Sequence, residues 1–319
     1  MRAPDAPEVS VIVPTFRRPQ LLRRALEALE AQTLWEWSSG EVVVVDNCPG
    51  KSAQQTVAAL PSGRVPVHYV AEPRPGISHA RNKGLEVARG RMIAFVDDDN
   101  LITETSLSAL RTALEETGCS AAFGRIVGLP ETACPPECLY FIGPYSRELG
   151  EVRRDITDER AYLGACLSLF RRPVLAERSM PFDPALGLIG GEDSALLQEL
   201  AEEGHRFVFE PAAVGFELVP PARLNRGSMQ RRRFRSGQIR AANAGSGMRR
   251  AVWIGVGILQ VVLHAPAAGL SSLLGLRQRA ETHRGQAWGG LGKLLWHRKK
   301  PPFYGGDVPP AEAGGPASS

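Results

Sequence analysis

The chain has 319 residues, of which 43% are hydrophobic and 23% charged, with a formal net charge of +4. This ordinary globular balance excludes a chain too polar to bury a core, and the length suffices for a large α/β domain with an appendage. The five cysteines are odd in number and scattered, which excludes a disulfide framework and fits a reducing compartment.

Val9 to Val13 is an apolar, β-branched run that ends at Pro14-Thr15-Phe16. Pro19 suits the first turn of a helix, and Leu21, Leu22, Ala25, Leu26 and Leu29 recur at helical spacing. Glu41 to Val45 predicts a second buried strand, closed by Asp46-Asn47. A weaker helix is expected over Ser52 to Leu60, and a third strand over Val65 to Val70. Ser78 is the expected N-cap of a helix running to about Arg89, and Met92 to Val96 predicts a fourth strand. Continuous apolar strands alternating with helices predict a parallel sheet covered on both faces.

Beyond this, the pattern predicts a helix over Glu104 to Thr117 and a strand over Ala121 to Val127. Leu129 to Arg160 reads as irregular loop, Tyr162 to Phe170 as a strand, and Gly190-Gly191-Glu192-Asp193 as the start of a helix reaching Glu203. Phe207 to Phe209 predicts a short strand closed by Pro211, and a basic helix is expected from about Pro221 to Ala244. Cys134 and Cys138 form a close pair, but no second pair or nearby His completes a zinc set. The first residues carry no apolar stretch of the secretory type.

The three consecutive acids Asp97-Asp98-Asp99 stand at the end of the fourth strand. In isolation they fit a solvated acidic turn as well as a cation site. The strand pattern moves them, with Thr15 and Asp46, to the carboxyl edge of the sheet, where open α/β sheets bind ligands. The turn after the first strand lacks any glycine, which excludes a dinucleotide or P-loop cradle and leaves acids and arginines at that edge.

The ordered segments Val11-Ile12-Val13-Pro14-Thr15-Phe16-Arg17, Val45-Asp46-Asn47, Gly76 to Gly84, Phe95 to Asp99 and Gly191-Glu192-Asp193 together resemble family 2 glycosyltransferases of the GT-A fold, over roughly residues 8 to 240. The resemblance implies an inverting transfer from a nucleotide-sugar donor to an acceptor hydroxyl on a glycan or lipid-linked glycan, in polysaccharide or glycoconjugate assembly, with no nucleic-acid partner. It implies that Pro14, Thr15 and Asp46 line the nucleoside pocket, with Arg17 and Asp98 among the substrate-binding residues. Arg81 would face the diphosphate or the base. Asp97 to Asp99 match the family's D-x-D, Asp97 toward the nucleoside and both Asp97 and Asp99 as ligands of Mg²⁺ or Mn²⁺; which carboxylate touches the ion stays open. Asp193 is the implied base, with Glu192 beside it. A helix N-terminus lowers the pKa of Asp193, while Glu192 and a closed site raise it. Gln230 to Phe234 resembles a Q-x-x-R-W element with Phe for Trp, so that Gln230, Arg233 and Phe234 join the substrate residues. A sugar-phosphate nucleotidyltransferase and a non-catalytic nucleotide-binding scaffold are the competing functions.

Ala251 to Leu276 contains no formally charged residue, and basic residues flank it on both sides. It is longer than the roughly 20 residues that span a bilayer, but Pro266 and several glycines weaken one straight helix. Gln260, His264 and Ser271 share a helical stripe. The expected organisation is a catalytic domain over 1–245, a membrane-associating segment over 246–300 and a disordered tail over 301–319. The favoured arrangement is a peripheral membrane-surface or re-entrant attachment through 251–300 at the cytoplasmic face of the plasma membrane. A true span is the second arrangement, and a helical pair packed on the soluble domain the third.

Overall fold

The computed structural model describes residues 6–245 and 247–298; the expected tail over 301–319 lies outside the described residues. In chain order the elements are β1 (Val9–Thr15), α1 (Pro19–Glu30), β2 (Gly40–Asp46), α2 (Gln54–Ala58), β3 (Val67–Ala71), α3 (Ile77–Val87), β4 (Met92–Phe95), β5 (Asn100–Ile102) and α4 (Ser106–Thr117). There follow β6 (Ala121–Pro130), β7 (Arg154–Asp155), β8 (Ser168–Arg171), α5 (Arg172–Ala176), α6 (Glu192–Glu202), β9 (Phe207–Val219), α7 (Arg226–Ala242), α8 (Gly247–Leu273) and α9 (Arg277–Leu294).

One sheet has the order β3-β2-β1-β4-β8-β6-β9-β5, with β7 on β9. β3, β2, β1 and β4 are mutually parallel, as their apolar runs predict. Val11 and Val13 of β1 and Val42 and Val44 of β2 pack with Leu22, Leu26, Leu107 and Leu110 on one face. Ile12, Val43 and Val45 pack with Ala80, Leu196 and Leu200 on the other. Both faces of the strand middles are therefore apolar, and the buried polar pair at their start, Ser10 and Glu41, is satisfied by its own hydrogen bond at 2.6 Å.

The second half of the sheet is mixed, because β8 runs antiparallel between β4 and β6. Several boundaries differ from those predicted, three of them for visible physical reasons. Gly76, with φ 123°, occupies the N-cap of α3, and Ser78 is buried inside the helix. The strand expected from Tyr162 begins only at Ser168: Arg147 takes the carbonyls of Gly164 and Cys166, and Leu167, with φ 50°, turns the chain just before its carbonyl accepts from Gly124 N of β6 at 2.9 Å. β9 does not stop at Pro211: its pairing with β6 jumps from Gly124↔Glu210 to Arg125↔Val214, so the proline sits in a bulge where it lacks no ladder partner. The same strand then pairs with β5 directly after the acidic triplet, Asn100 opposite Glu217. A Cβ on Gly215 would stand 2.2 Å from Asn100 Oδ1, so only glycine fits there.

At the carboxyl end, α9 lies between α7 and α8. The approach is backbone to backbone: a Cβ on Gly237 would meet the Gly289 carbonyl oxygen at 2.1 Å, and one on Gly292 the Phe234 carbonyl oxygen at 2.0 Å. α8 runs unbroken through Pro266, which is exposed, so the carbonyl it leaves unpaired faces outward. α9 thus packs on α7, and α8 packs on α9.

Gly292→Ala is expected to cost about 1–3 kcal/mol of stability and to speed amide exchange along α9. Gly255→Ala, where nothing stands within 4 Å of the added methyl, is expected to be neutral or stabilising by roughly 0.5–1 kcal/mol. Thermal melts with hydrogen exchange check both.

Candidate active site

The acidic triplet alternates in direction. Asp98 points inward, its carboxylate accepting from Thr15 Oγ1 at 2.7 Å and from Arg18 at 3.1 Å. Asp97 and Asp99 keep 31% and 18% of their side-chain surface exposed, against 6% for Asp98. Arg18 also reaches Asp99 Oδ2 at 2.7 Å. The backbone around the triplet is fixed by Asp97 N donating to Cys166 Sγ at 3.4 Å and Leu218 N donating to the Asp99 carbonyl at 2.9 Å.

Arg81 on α3 gathers the rest. Its guanidinium lies 2.7 Å from Glu192, 3.4 Å from Asp97 and 4.0 Å from Asp193, and it stacks over Phe182 at 5.4 Å. α6 presents Glu192 and Asp193 in its first turn because Gly191, with φ 100°, reverses the chain there. A Cβ on Gly191 would strike Ile239 at 2.7 Å. Asp193 Oδ2 accepts from Ala165 N at 3.1 Å, and its side chain remains 22% exposed.

The site is overloaded with negative charge. Burial, then Arg18 opposing it and Asp99 reinforcing it, leaves Asp98 pushed up to about 7. Burial raises Asp97 as well, with Arg81 opposing and Asp99 and Asp193 adding. Burial and Asp193 outweigh Arg81 and push Glu192 up to about 8; its Oε2 has no hydrogen-bond partner. Glu217, at the β5–β9 pairing, is pushed up to about 7 by burial, and by Asp99 and Asp97 against Arg232.

This donor set fits a divalent cation. Asp97 and Asp99 offer hard oxygens on the open side of the triplet and repel each other. Among the described residues no group of three ligating side chains converges. A site that completes its shell with substrate phosphates and water, as Mg²⁺ sites do, needs only one or two carboxylates.

Of the residues expected from sequence, the structure brings together Thr15, Arg81, Asp97, Asp98, Asp99, Glu192 and Asp193. Pro14 is buried on β1, which pairs Thr15 with Asp46 in β2. Asp46 itself accepts from Cys48 N, Ala53 N, Ser52 Oγ and Tyr69 Oη, so it organises the loop beneath the edge. Arg17 adopts φ 54°, a left-handed conformation, and its exposed side chain leaves the cluster to Arg18.

Gln230, Arg233 and Phe234 do not join the acids. Arg233 lies 3.6 Å from the Cβ position of Gly285, and Phe234 stacks on Trp288 at 6.1 Å, both on α9. Gln230 shares that helix face with Arg233 and Gly237 by spacing. Arg232 takes the inward direction instead, 4.0 Å from Glu217 and 4.2 Å above the Tyr145 ring. Arg18, Arg232 and Glu217 were therefore missed. Each adjoins a residue that was singled out, or lies on a strand hidden behind Pro211. Arg147 was missed as well: buried among carbonyls and pushed down to about 10 by that burial, it clamps the loop under Asp97.

The carboxyl edge of the parallel strands thus carries a D-x-D, an arginine that bridges it to a facing helix start, and an acid pair on that start. Residues 10–132 match the family described as Glycosyl transferase family 2. The chain is 31% identical over 252 residues to the succinoglycan biosynthesis protein ExoM of Rhizobium meliloti, covering 76% of this chain and 78% of that one. It is 26% identical over 174 residues to the GalNAc(5)-diNAcBac-PP-undecaprenol beta-1,3-glucosyltransferase of Campylobacter jejuni, about half the length of each (54% and 54%). The mannosyltransferase PcManGT from Pyrobaculum calidifontis, solved with GDP-Man and Mn²⁺, shares the fold with a TM-score of 0.57 at 20% identity, over 93% of this chain and 89% of that one. The chain belongs to glycosyltransferase family 2, whose members transfer a sugar from a nucleotide-sugar donor.

Glu192 makes stability depend on pH. Its carboxyl rises from an ordinary 4.5 to about 8 on folding, so the folded state binds the extra proton and loses that stabilisation as pH climbs between those values. The wild-type melting temperature is expected to fall from pH 5 to pH 8 by about 3–6 °C more than that of Glu192→Gln, which carries no such proton. Parallel pH profiles of the two proteins would refute the assignment.

Proposed function

We infer that this enzyme adds one sugar, with inversion, to a lipid-linked glycan during polysaccharide assembly, its catalytic domain resting against the cytosolic face of a membrane. The observation that carries the chemistry is the convergence of Asp97 and Asp193 on Arg81, which sets a donor-side acid and an acceptor-side acid on one guanidinium.

Asp97 and Asp99 would hold Mg²⁺ or Mn²⁺; the bound ion supplies a Lewis acid for the charge that develops on the departing diphosphate. Thr15 and the Asp46 loop shape the nucleoside side. Asp193 removes the acceptor hydroxyl proton as the oxygen attacks the anomeric carbon, and the nucleoside diphosphate leaves with the bonding electrons. Glu192, holding its own proton, spares Asp193 a like charge at its side. Arg81 keeps both acids in place.

Membrane attachment is supported by α8, whose amphipathicity is turned inside out. Its polar residues face α9: Gln260 meets Gln286 at 3.2 Å, and His264 meets His283 at 2.8 Å. Its outer face leaves Val252, Ile258, Leu259, Val262, Leu263 and Leu270 more than half exposed. Burying such side chains is worth roughly 1.5–3 kcal/mol each, so an apolar surface covers them. The lipid-linked acceptor named for the Campylobacter relative supports the same setting.

Asp193→Asn is expected to lower transfer about 100- to 10,000-fold with nucleotide affinity nearly unchanged. Near-normal turnover would remove Asp193 from the base role. Leu259→Glu with Leu263→Glu is expected to reduce flotation with phospholipid vesicles about a hundredfold while donor hydrolysis persists. Unchanged flotation would contradict a lipid-facing α8.

A further inference from the structure

The proposed chemistry gives Arg18 no task, although its guanidinium holds Asp99 at 2.7 Å. Its backbone is anchored on both sides. The left-handed turn at Arg17 precedes it, with Arg17 N donating to Ser52 Oγ at 3.0 Å. Its own carbonyl accepts from Leu22 N at 3.0 Å in the first turn of α1. Any adjustment is therefore confined to the side chain, which keeps 30% of its surface exposed.

One nitrogen, Nη1, serves both carboxylates, Asp98 Oδ1 at 3.1 Å and Asp99 Oδ2 at 2.7 Å. The other two, Nε and Nη2, make no hydrogen bond among the described residues, and neither is sealed from water. A guanidinium can give five hydrogen bonds, so most of this fork is unused. The two acids differ in what else supports them. Asp98 accepts from Thr15 Oγ1 on its second oxygen, at 2.7 Å. The Asp99 carboxylate accepts no other hydrogen bond among the described residues. Arg18 thus occupies an oxygen of the carboxylate on which the proposed cation depends. A divalent ion and a guanidinium on one carboxylate repel each other, and the half-exposed guanidinium is free to turn. A nucleoside diphosphate brings acceptor oxygens that match the unused part of the fork.

We propose that Arg18 is a positioning residue with two partners in turn: it holds Asp99 before the ligands arrive, and it binds the donor's diphosphate once a divalent cation has taken Asp99. Nη1 keeps Asp98 throughout, so the inward carboxylate retains its counter-charge. The exchange couples the two ligands, because the cation frees the fork and the phosphate draws the guanidinium off the cation's oxygen. This rests on Asp99 as a cation ligand.

The test measures Mn²⁺ binding to the full-length protein by electron paramagnetic resonance, with and without saturating UDP or GDP. Arg18→Gln is expected to bind Mn²⁺ alone about tenfold tighter than the wild type, because no guanidinium competes for Asp99. It is also expected to lose about tenfold or more of the strengthening that the nucleotide confers, and Mn²⁺ then improves nucleotide affinity by correspondingly less. If thermal melts show Arg18→Gln unfolded, Arg18→Lys carries the test. It keeps a charge beside Asp98 and Asp99 without the fork, so Mn²⁺ alone binds as in the wild type while the nucleotide effect drops severalfold. Equal tightening of Mn²⁺ with and without nucleotide in Arg18→Gln would reduce Arg18 to a repelling charge and overturn the exchange. Mn²⁺ binding that ignores Asp99→Asn would overturn the cation site on which the proposal stands. Loss of Mn²⁺ in Asp99→Asn, beside an unchanged nucleotide effect in a folded Arg18 variant, would overturn the exchange alone.

Discussion

Too many carboxylates share one small volume, and the rest of the molecule is arranged around that fact. Asp97, Asp98, Asp99, Glu192, Asp193 and Glu217 act on one another through space, and the counter-charges in contact with them are Arg18, Arg81 and Arg232, with Arg147 and Arg223 acting from further off. Arg81 matters most because it joins the two halves of the site, the end of β4 and the start of α6, reaching Glu192 from 111 positions away in sequence. Without it, the buried Glu192 and the partly open Asp97 would have no bridge between them. The arrangement tolerates the crowding by dividing it. The inward acids, Asp98 and Glu192, are held by arginine and by their own protons, while Asp97, Asp99 and Asp193 stay partly open.

That division suits the proposed chemistry. Asp97 and Asp193 approach different nitrogens of Arg81, Nη2 and Nη1, which fits the proposed donor-side and acceptor-side roles. Support comes from beneath, where Arg147 ties Gly124, Gly164, Cys166 and Leu167 into one floor under Asp97 and Asp193. A site so charged before its ligands arrive is poised for a cation and its phosphates rather than for a neutral ligand.

Much of this was legible in the sequence, for identifiable reasons. The parallel half of the sheet could be read because both faces of β1 and β2 are covered, which leaves unbroken apolar runs. The edge acids could be read because they end those runs. What escaped depends on register or on distant pairing. Two arginines follow Phe16, and only the left-handed turn at Arg17 decides that Arg18 faces inward. Three arginines precede Phe234, and the docking of α9 decides that Arg232 faces Glu217 while Arg233 faces away. Glu217 was hidden because Pro211 looks like the end of a strand when it is the apex of a bulge. The polar stripe Gln260, His264 and Ser271 was visible, but its burial against α9 was not, and that burial gives α8 its outward apolar face.

The central claim is that this overcharged edge is completed by a divalent cation arriving with a nucleoside diphosphate, on Asp97 and Asp99 and not on Asp98. Electron paramagnetic resonance of Mn²⁺ titrated into the protein, with and without UDP or GDP, tests it most directly. The account predicts that a nucleoside diphosphate strengthens Mn²⁺ binding in the wild type and in Asp98→Asn, and that Asp99→Asn loses the effect. Binding that is indifferent to Asp99→Asn, or that disappears with Asp98→Asn instead, would contradict it.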